Sequence, residues 1–213
     1  MFLTANKAEA ATTSPLHTET QTTETSASAE STVPTVPFYS QFTDIASPAW
    51  KKVGCGVTSL AMVLQYYKPD TATVSTLLAQ GIKSGAYIKN VGWSYAGLIA
   101  LGKKYGLKGE SYDLGKKSTA SAYEQFKASL ESGPVIASVH YKFDPKSKIP
   151  HLVVINGIED GEVYYNDPAG KAGALHIKEA VFLSAWKKRF IVLRPLKDSN
   201  QNAVTKQVTE TNS

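Results

Sequence analysis

The sequence predicts an α+β protein in which a layer of helices packs on an antiparallel sheet. In the first half of the central region, apolar residues recur at steps of three and four, which is the period of amphipathic helices. In the second half, short apolar runs are separated by turn residues, a pattern typical of strands and hairpins. Because the helices come first and the strands follow, an antiparallel sheet is favoured over a parallel one.

The length of 213 residues fits one domain between two polar tails. Residues 1–35 are rich in Thr and Ser and poor in large apolar side chains, so we expect them to be disordered. The folded domain is expected at residues 36–197. Residues 198–213 are rich in Gln, Asn and Thr and are expected to be frayed.

The first helix is predicted at residues 55–67, where Val57, Leu60 and Leu64 mark one buried face. Pro69 prevents its continuation, because proline has no backbone N–H and clashes with the preceding turn. Three further helices are predicted at residues 74–80, 94–105 and 121–132.

Glycines and a capping motif set the expected limits of these three helices. Gly81 and Gly106 are expected to end the first two, since glycine adopts the left-handed conformation of a C-terminal cap. Ser121 and Glu124 have the spacing of a capping box at the start of the third. Gly133-Pro134 would end that helix.

The strands are predicted at residues 134–141, 151–158, 162–166, 174–177 and 190–194. Glu159-Asp160-Gly161 joins the second and third of them as a hairpin. A polar loop is expected at residues 142–150, and a last helix at residues 178–186 between the final two strands.

Cys55 is the single cysteine of the chain and lies in Gly54-Cys55-Gly56 at the head of the first helix. A helix N-terminus carries partial positive charge and free N–H groups, which favour a thiolate and can hold an oxyanion. A lone cysteine forms no internal disulfide. The alternative is a small buried apolar residue, the ordinary role of a free cysteine.

A base and an orienting group for such a cysteine are found in the predicted hairpin. His151 opens one strand, and Asp167 follows the end of the other, 16 residues later. The antiparallel turn brings these two open ends together. His140 ends the preceding strand and His176 is expected to face solvent or pack. The alternatives are a surface histidine for His151 and an Asx-type turn before Pro168 for Asp167.

Gln41 is the candidate oxyanion donor, 14 residues before Cys55. Its side-chain N–H and the backbone N–H of Cys55 would together stabilise a tetrahedral oxyanion. The alternative is a solvated surface glutamine.

Four segments carry a resemblance to a known family: VPFYSQ, GCGVTSLAMVLQYY, PVIASVHY and HLVVINGIEDGEVYYNDPAG. In this order they resemble family thirty-nine of the papain-like cysteine peptidases, in its stand-alone branch, over residues 36–194. The resemblance implies a papain-like fold with Cys55 as nucleophile, His151 as base, Asp167 as orienting residue and Gln41 as oxyanion donor. The gap between Gln and Cys is longer than in the exporter peptidases of the same family. The given sequence carries no transporter, so their double-glycine specificity is not part of the expectation.

The expected function is hydrolysis of peptide bonds through a thioester, with a peptide or protein as substrate. One alternative is a catalytically idle papain-like binding domain on the cell surface. Another is a hydrolase of peptidoglycan stem peptides, although such enzymes usually show Asp-Cys-Ser where this chain has Gly-Cys-Gly. The sequence has no HExxH, CxxC or phosphate-loop motif, so no metal or other cofactor is expected.

The net charge of +5 is unevenly spread, with −3 in residues 1–36 and therefore +8 in the remainder. Nucleic-acid binding is not expected, because the lysines form scattered pairs without interleaved aromatic residues. Loose association with an anionic cell surface is compatible with this charge. The pairs are Lys51-Lys52, Lys103-Lys104, Lys116-Lys117 and Lys187-Lys188.

An extracellular or cell-surface location is expected from Ala8-Glu9-Ala10, which has the A-x-A pattern of a signal-peptide cleavage site. In this interpretation the signal peptide is truncated from the given sequence. The alternative is coincidence in an Ala-rich tail. The longest apolar runs, at residues 60–64 and 152–155, are too short to span a bilayer.

Overall fold

The computed structural model describes residues 31–196. The helices are α1 Pro48–Lys51, α2 Cys55–Tyr67, α3 Val74–Lys83, α4 Tyr95–Lys103, α5 Thr119–Leu130 and α6 Glu179–Ala185. The strands are β1 Tyr87–Ile88, β2 Gly92–Trp93, β3 Leu107–Asp113, β4 Val135–His140, β5 Pro150–Glu159, β6 Glu162–Asn166, β7 Leu175–Lys178 and β8 Trp186–Pro195. Most of the two predicted tails, and the Ala8-Glu9-Ala10 pattern, lie outside the described residues.

The predicted α+β class is confirmed. Six strands form an antiparallel sheet in the order β3-β8-β4-β5-β6-β7, and β1 and β2 form a separate two-stranded sheet. Between residues 31 and 196, no helix is long and apolar enough to cross a membrane.

The large sheet has two ends that differ in what they carry. At one end β3, β4 and β6 finish while β5, β7 and β8 begin. We call it the His151 end, because β5 begins there with Pro150 and His151. The opposite end holds the turn between β5 and β6 and is called the hairpin end. Asp160 and Gly161 form this turn with φ of 50° and 73°, values that suit a two-residue hairpin.

One face of the sheet packs on α2, α3 and α4. Alternate residues of the central strands face these helices, among them Ile136 of β4 and Leu152 and Val154 of β5. Helix α2 is the centre of this layer, with a continuous buried stretch from Gly56 to Leu64. The helix that carries the cysteine is therefore held rigidly on the sheet that carries the histidine.

The other face of the sheet is also covered by helices, although the sequence pattern predicts only one helical layer. Helices α5 and α6 pack there against the intervening residues of β4 and β5, such as Val139 and Val153. Phe126, Phe182 and Phe190 are fully buried in this second core. Burial on both faces explains why β4 and β5 are apolar at nearly every position.

Helix α3 extends past its predicted end. Gly81 was expected to stop it, yet the helix continues to Lys83, and Gly85 follows with φ of 69°. Gly81 has a packing role instead, because a Cβ there would lie 2.5 Å from the ring of Trp93. Gly106 does adopt φ of 79°, and α4 ends slightly before its predicted limit, at Lys103.

The predicted capping box was wrong. The cap of α5 is Ser118, whose hydroxyl accepts a hydrogen bond from the backbone N–H of Ser121 at 3.2 Å. Strand β3 was missed because only Leu107 in it is fully buried, so no alternating apolar pattern marks it. Strand β8 also begins at Trp186, ahead of the predicted residue 190.

Candidate active site

Cys55 is the first residue of α2, and tight packing on both sides fixes the start of this helix. A Cβ on Gly54 would collide with the side chain of Ile45, and one on Gly56 would lie 2.7 Å from Trp93. The helix has no side-chain N-cap, so its first N–H groups are not capped by a side chain. The thiol of Cys55 is free and partly exposed. Gly-Cys-Gly thus lets a thiol sit on an uncapped helix N-terminus between two bulky neighbours.

His151 and Asp167 are brought together as the hairpin spacing predicts. The Nε2 of His151 lies 2.6 Å from Oδ1 of Asp167, and the histidine side chain is only 4% exposed. Tyr141 packs edge-on against the imidazole, with ring centroids 5.2 Å apart. With Nε2 engaged, Nδ1 is the ring nitrogen left for the thiol.

The pKa of His151 reflects competing effects. Burial lowers it, but the hydrogen bond to Asp167, together with hydrogen bonding and charge interaction with Cys55, outweighs burial and raises it to about 9. Cys55 is thus near enough to the imidazole to influence its proton. An imidazolium is therefore the favoured form at neutral pH.

Asp167 also forms the turn that was considered as its alternative role. Its Oδ1 accepts a hydrogen bond from the N–H of Ala169 at 2.8 Å, and its carbonyl accepts one from Gly170 at 2.8 Å. The Asx-type turn fixes the carboxylate that contacts His151. The structural and the orienting roles are thus compatible in one residue.

Gln41 lies against the start of α2 but does not project a free amide. Its Nε2 donates a hydrogen bond to the carbonyl of Lys51 at 2.7 Å. Its Oε1 is buried and has no hydrogen-bond partner in the part of the chain that the structure describes. One side-chain N–H therefore remains for an oxyanion.

Asn166 is a site residue that sequence reasoning missed. It is fully buried, donates to the carbonyl of Val36 at 2.9 Å and accepts from the N–H of Ala174 at 2.7 Å. Asn166 thereby connects two parts of the chain, the segment that leads to Gln41 and the loop that holds Asp167. Its only signal in the sequence was its place beside Asp167 in Asn166-Asp167-Pro168.

The same two segments are joined by further hydrogen bonds. The N–H of Gln41 donates to the carbonyl of Pro168 at 2.8 Å, and the hydroxyl of Ser40 donates to that of Gly170 at 3.0 Å. The oxyanion candidate and the histidine partner are therefore held by one hydrogen-bonded unit.

The two other histidines of the described region have different partners. His140 Nδ1 lies 2.6 Å from the carbonyl oxygen of Ser147. His176 is exposed on β7, with Nδ1 3.5 Å from a carboxylate oxygen of Glu162. Within residues 31–196, no group of three or more His, Cys, Asp or Glu side chains is arranged to hold a metal ion.

Comparison with known proteins identifies the family of the chain. The model of the "Peptidase C39 like family" matches residues 33–191. No curated protein sequence matches the chain significantly.

Among solved structures, the chain is similar to a double glycine motif protease from an AMS/PCAT transporter in complex with the leader peptide. The identity is 22%, the TM-score is 0.54, and 77% of this chain and 94% of that chain are covered. A C39-like peptidase structure from Bacillus anthracis gives 22% identity and a TM-score of 0.54, covering 76% and 96%. The peptidase domain of Streptococcus ComA, a bifunctional ABC transporter involved in quorum sensing, gives 18% and 0.52, covering 68% and 93%. At these identities the likeness shows a shared fold.

Proposed function

The chain belongs to the Peptidase C39 like family, a family of cysteine peptidases, and we propose that Cys55, His151 and Asp167 are its catalytic triad. The observation that carries the proposal is the buried imidazole of His151, which has a carboxylate on one side and the helix-N-terminal thiol on the other. A nucleophile near a base that is itself hydrogen-bonded to an orienting group is the arrangement that covalent catalysis requires.

In the first half of the proposed reaction, the Cys55 thiolate attacks the carbonyl carbon of a peptide bond. A C–S bond forms and the carbonyl π electrons move to oxygen. When this oxyanion collapses, the C–N bond breaks and the imidazolium of His151 gives its proton to the departing amine. The products of this half are an amine and a thioester on Cys55.

In the second half, His151 acts as base. It removes a proton from a water molecule as the water oxygen attacks the thioester carbon. Collapse of this second intermediate breaks the C–S bond, which releases a carboxylic acid and restores the thiolate and imidazolium. Asp167 accepts a hydrogen bond from Nε2–H throughout and holds the ring so that Nδ1 faces the sulfur.

The backbone N–H of Cys55 and the remaining N–H of Gln41 are the proposed oxyanion donors. The tight contact between Gln41 and the start of α2 supports this role, since a Cβ on Gly54 would lie 3.2 Å from the Gln41 Cβ. Donors fixed before the reaction cost no reorganisation when the charge develops. The hydrogen bond to Lys51 holds the Gln41 amide in place.

Peptides are the proposed substrates. A protease of the same fold has been crystallised with a leader peptide, which supports a peptide-binding cleft here. We also propose that the enzyme acts outside the cell or on its surface, an inference supported by Ala8-Glu9-Ala10 alone. Immunodetection in the medium, wall and cytoplasmic fractions of the source cells tests the location, and recovery in the cytoplasm alone contradicts it.

The activity is tested with a mixed peptide library and mass spectrometry of the products. We expect cleavage by the wild-type protein, none by Cys55→Ser or His151→Ala, and cleavage by His140→Ala as the matched control. Labelling by iodoacetamide is measured in parallel. A labelled Cys55 in a protein that cleaves no peptide would indicate an idle binding domain. Cleavage restricted to peptidoglycan stem peptides would indicate a cell-wall hydrolase.

A further inference from the structure

Basic residues outnumber acidic ones at the His151 end of the large sheet. Basic side chains gather at the His151 end, on the strand ends and on the loops that join them. They are Lys116, Lys117, Lys142, Lys146, Lys148, Lys171, Lys187, Lys188 and Arg189. The acidic residues of the same strand ends and loops are Asp113, Asp144 and Asp167.

Two lysine pairs that are far apart in sequence meet at this end. Strand β3 pairs with β8, so the loop after β3 lies beside the start of β8. The N–H of Leu114 donates to the carbonyl of Lys188 at 2.8 Å, and Nζ of Lys188 donates to the carbonyl of Lys117 at 2.9 Å. Lys116-Lys117 and Lys187-Lys188 therefore form one cationic patch.

The other basic residues of this end lie in the two loops that adjoin His151 and Asp167. Lys142, Lys146 and Lys148 are exposed in the loop that leads into His151. Lys171 is exposed in the loop that follows Asp167. The cations therefore flank the histidine and its carboxylate on both sides.

Few of these cations are neutralised by the protein itself. In the described part of the chain, Arg189 is the one member of the set with an ion-pair partner, Asp113 at 2.9 Å. The acidic residues cluster at the opposite, hairpin end, where Glu159, Asp160 and Glu162 surround the turn between β5 and β6. Basic side chains also occur at the hairpin end, among them Lys103, Lys104 and Lys178, the last of which pairs with Glu162. The excess of positive over negative residues at the His151 end therefore lies at the same end of the sheet as the candidate active site.

We propose that this cationic end selects peptide substrates with acidic residues close to the scissile bond, an inference that rests on the proposed function. A surface of one charge sign around a cleft concentrates ligands of the opposite sign and increases their rate of association. An acidic peptide fits better than an anionic cell surface, because a surface docked on this end would obstruct the cleft that it surrounds.

The first test measures binding, so that it does not depend on turnover. Fluorescence anisotropy of the full chain carrying Cys55→Ser compares a fluorescent peptide rich in Asp and Glu with its Asn and Gln counterpart. We expect the acidic peptide to bind about tenfold or more tightly, and its advantage to shrink as salt is raised. Equal binding of the two peptides overturns the proposal.

The second test reverses charge at each end of the molecule. We expect Lys146→Glu with Lys148→Glu to weaken binding of the acidic peptide about tenfold, and Lys116→Glu to weaken it in the same direction. Lys103→Glu with Lys104→Glu is the matched control, because these lysines are exposed at the end of α4, which leads into β3 from the hairpin end. Equal weakening by the control pair contradicts a local effect, and thermal unfolding shows whether each variant is folded.

Two further measurements separate the remaining outcomes. Vesicles that contain phosphatidylglycerol serve as the anionic surface. If Lys146→Glu with Lys148→Glu releases the protein from these vesicles but leaves peptide binding unchanged, the cationic end docks on membrane surfaces. That result would show that the proposal is wrong. For the wild-type enzyme, kcat/KM on acidic library peptides should exceed that on neutral ones. Acidic peptides that bind without being cleaved would contradict the proposed function and leave this inference supported.

Discussion

His151 links the three proposed catalytic groups, and its position followed from the sequence because antiparallel register is simple geometry. A hairpin that turns near Asp160 places His151 and Asp167 at adjacent ends of β5 and β6, and the turn at Asp167 completes their contact. The hydrogen bonds of Gln41 and Asn166 were not foreseeable in this way. These hydrogen bonds depend on where an irregular segment meets a loop more than a hundred residues away in the sequence. Such contacts leave no periodic pattern in the sequence from which they could be predicted.

Asp167 is expected to act by orienting His151, and two substitutions separate this from its part in the turn. In the serine-protease triad that serves as the standard example, Asp→Asn lowers kcat by about 10⁴. We expect a smaller loss for Asp167→Asn, because a cysteine site can rest as a preformed thiolate–imidazolium pair and an amide oxygen still accepts from Nε2–H. Asp167→Ala should lose more.

The measurement is kcat for both Asp167 variants, together with the pH profile of iodoacetamide labelling at Cys55. Similar, near-wild-type rates for the two variants would reduce Asp167 to a turn residue before Pro168. The enzyme would then operate with a Cys–His dyad.

The raised pKa of His151 predicts a loss of stability on the alkaline side. The folded protein holds this proton up to about pH 9, whereas the ordinary value for histidine is 6.5. The stabilising contribution of this proton to the free energy of unfolding is therefore fully present below about pH 6.5 and is lost as pH rises through 9. The free energy of unfolding, measured with urea from pH 6 to 10, should fall more steeply for wild type than for His151→Ala. Parallel profiles would be inconsistent with a proton held at this site.

Among the elements, the helices and strands with a clear apolar period were predicted close to their observed limits. Helix α2 and strand β6 match the predicted residues. Strand β3 was not predictable because its pairing with β8, rather than its own burial, makes it a strand. Burial of both sheet faces follows from tertiary packing of α5 and α6, which a single segment does not reveal.

Asn166 is expected to position the loop of Asp167 through the segment at Val36. Asn166→Ala should lower kcat about tenfold or more and move the iodoacetamide labelling profile of Cys55 to higher pH, because His151 loses its fixed partner. Asn156→Ala is the matched control, since Asn156 is also a buried amide and lies on the neighbouring strand β5. Within residues 31–196 its side-chain oxygen has no hydrogen-bond partner. If both variants lose the same activity and share one labelling profile, Asn166 has only a structural role.

At Gly81 we expect alanine to lower the free energy of unfolding, although alanine in a helix interior usually raises it. Gly→Ala in a helix interior normally stabilises by about 1 kcal/mol. At this position the new methyl would meet the ring of Trp93, so we expect Gly81→Ala to destabilise by about 1–3 kcal/mol. Gly102→Ala in α4 is the control, because its nearest contact is the flexible side chain of Leu193 at 3.1 Å. Urea unfolding measures both, and a stabilised Gly81→Ala would show that Trp93 moves aside at little cost.

For the whole molecule, the remaining prediction concerns the residue at which the folded domain begins, and two N-terminal truncations test it. The sequence predicts a tail over residues 1–35, yet Ser31 and Thr32 hydrogen-bond to the carboxylate of Glu159. The side chain of Val33 also covers Gly157, where a Cβ would lie 3.1 Å from it. The boundary that these contacts indicate is therefore residue 31.

Deletion of residues 1–30 should leave the free energy of unfolding and kcat/KM nearly unchanged, because these contacts are kept. Deletion of residues 1–35 removes them and should lower the free energy of unfolding, because the hydrogen bonds to Glu159 and the cover of Gly157 by Val33 are lost. Urea unfolding and peptide cleavage of the two truncated proteins are compared with the full chain. A large loss on deleting only residues 1–30 would mean that this segment contributes to the folded domain, whereas no loss from either deletion would support the boundary predicted from composition.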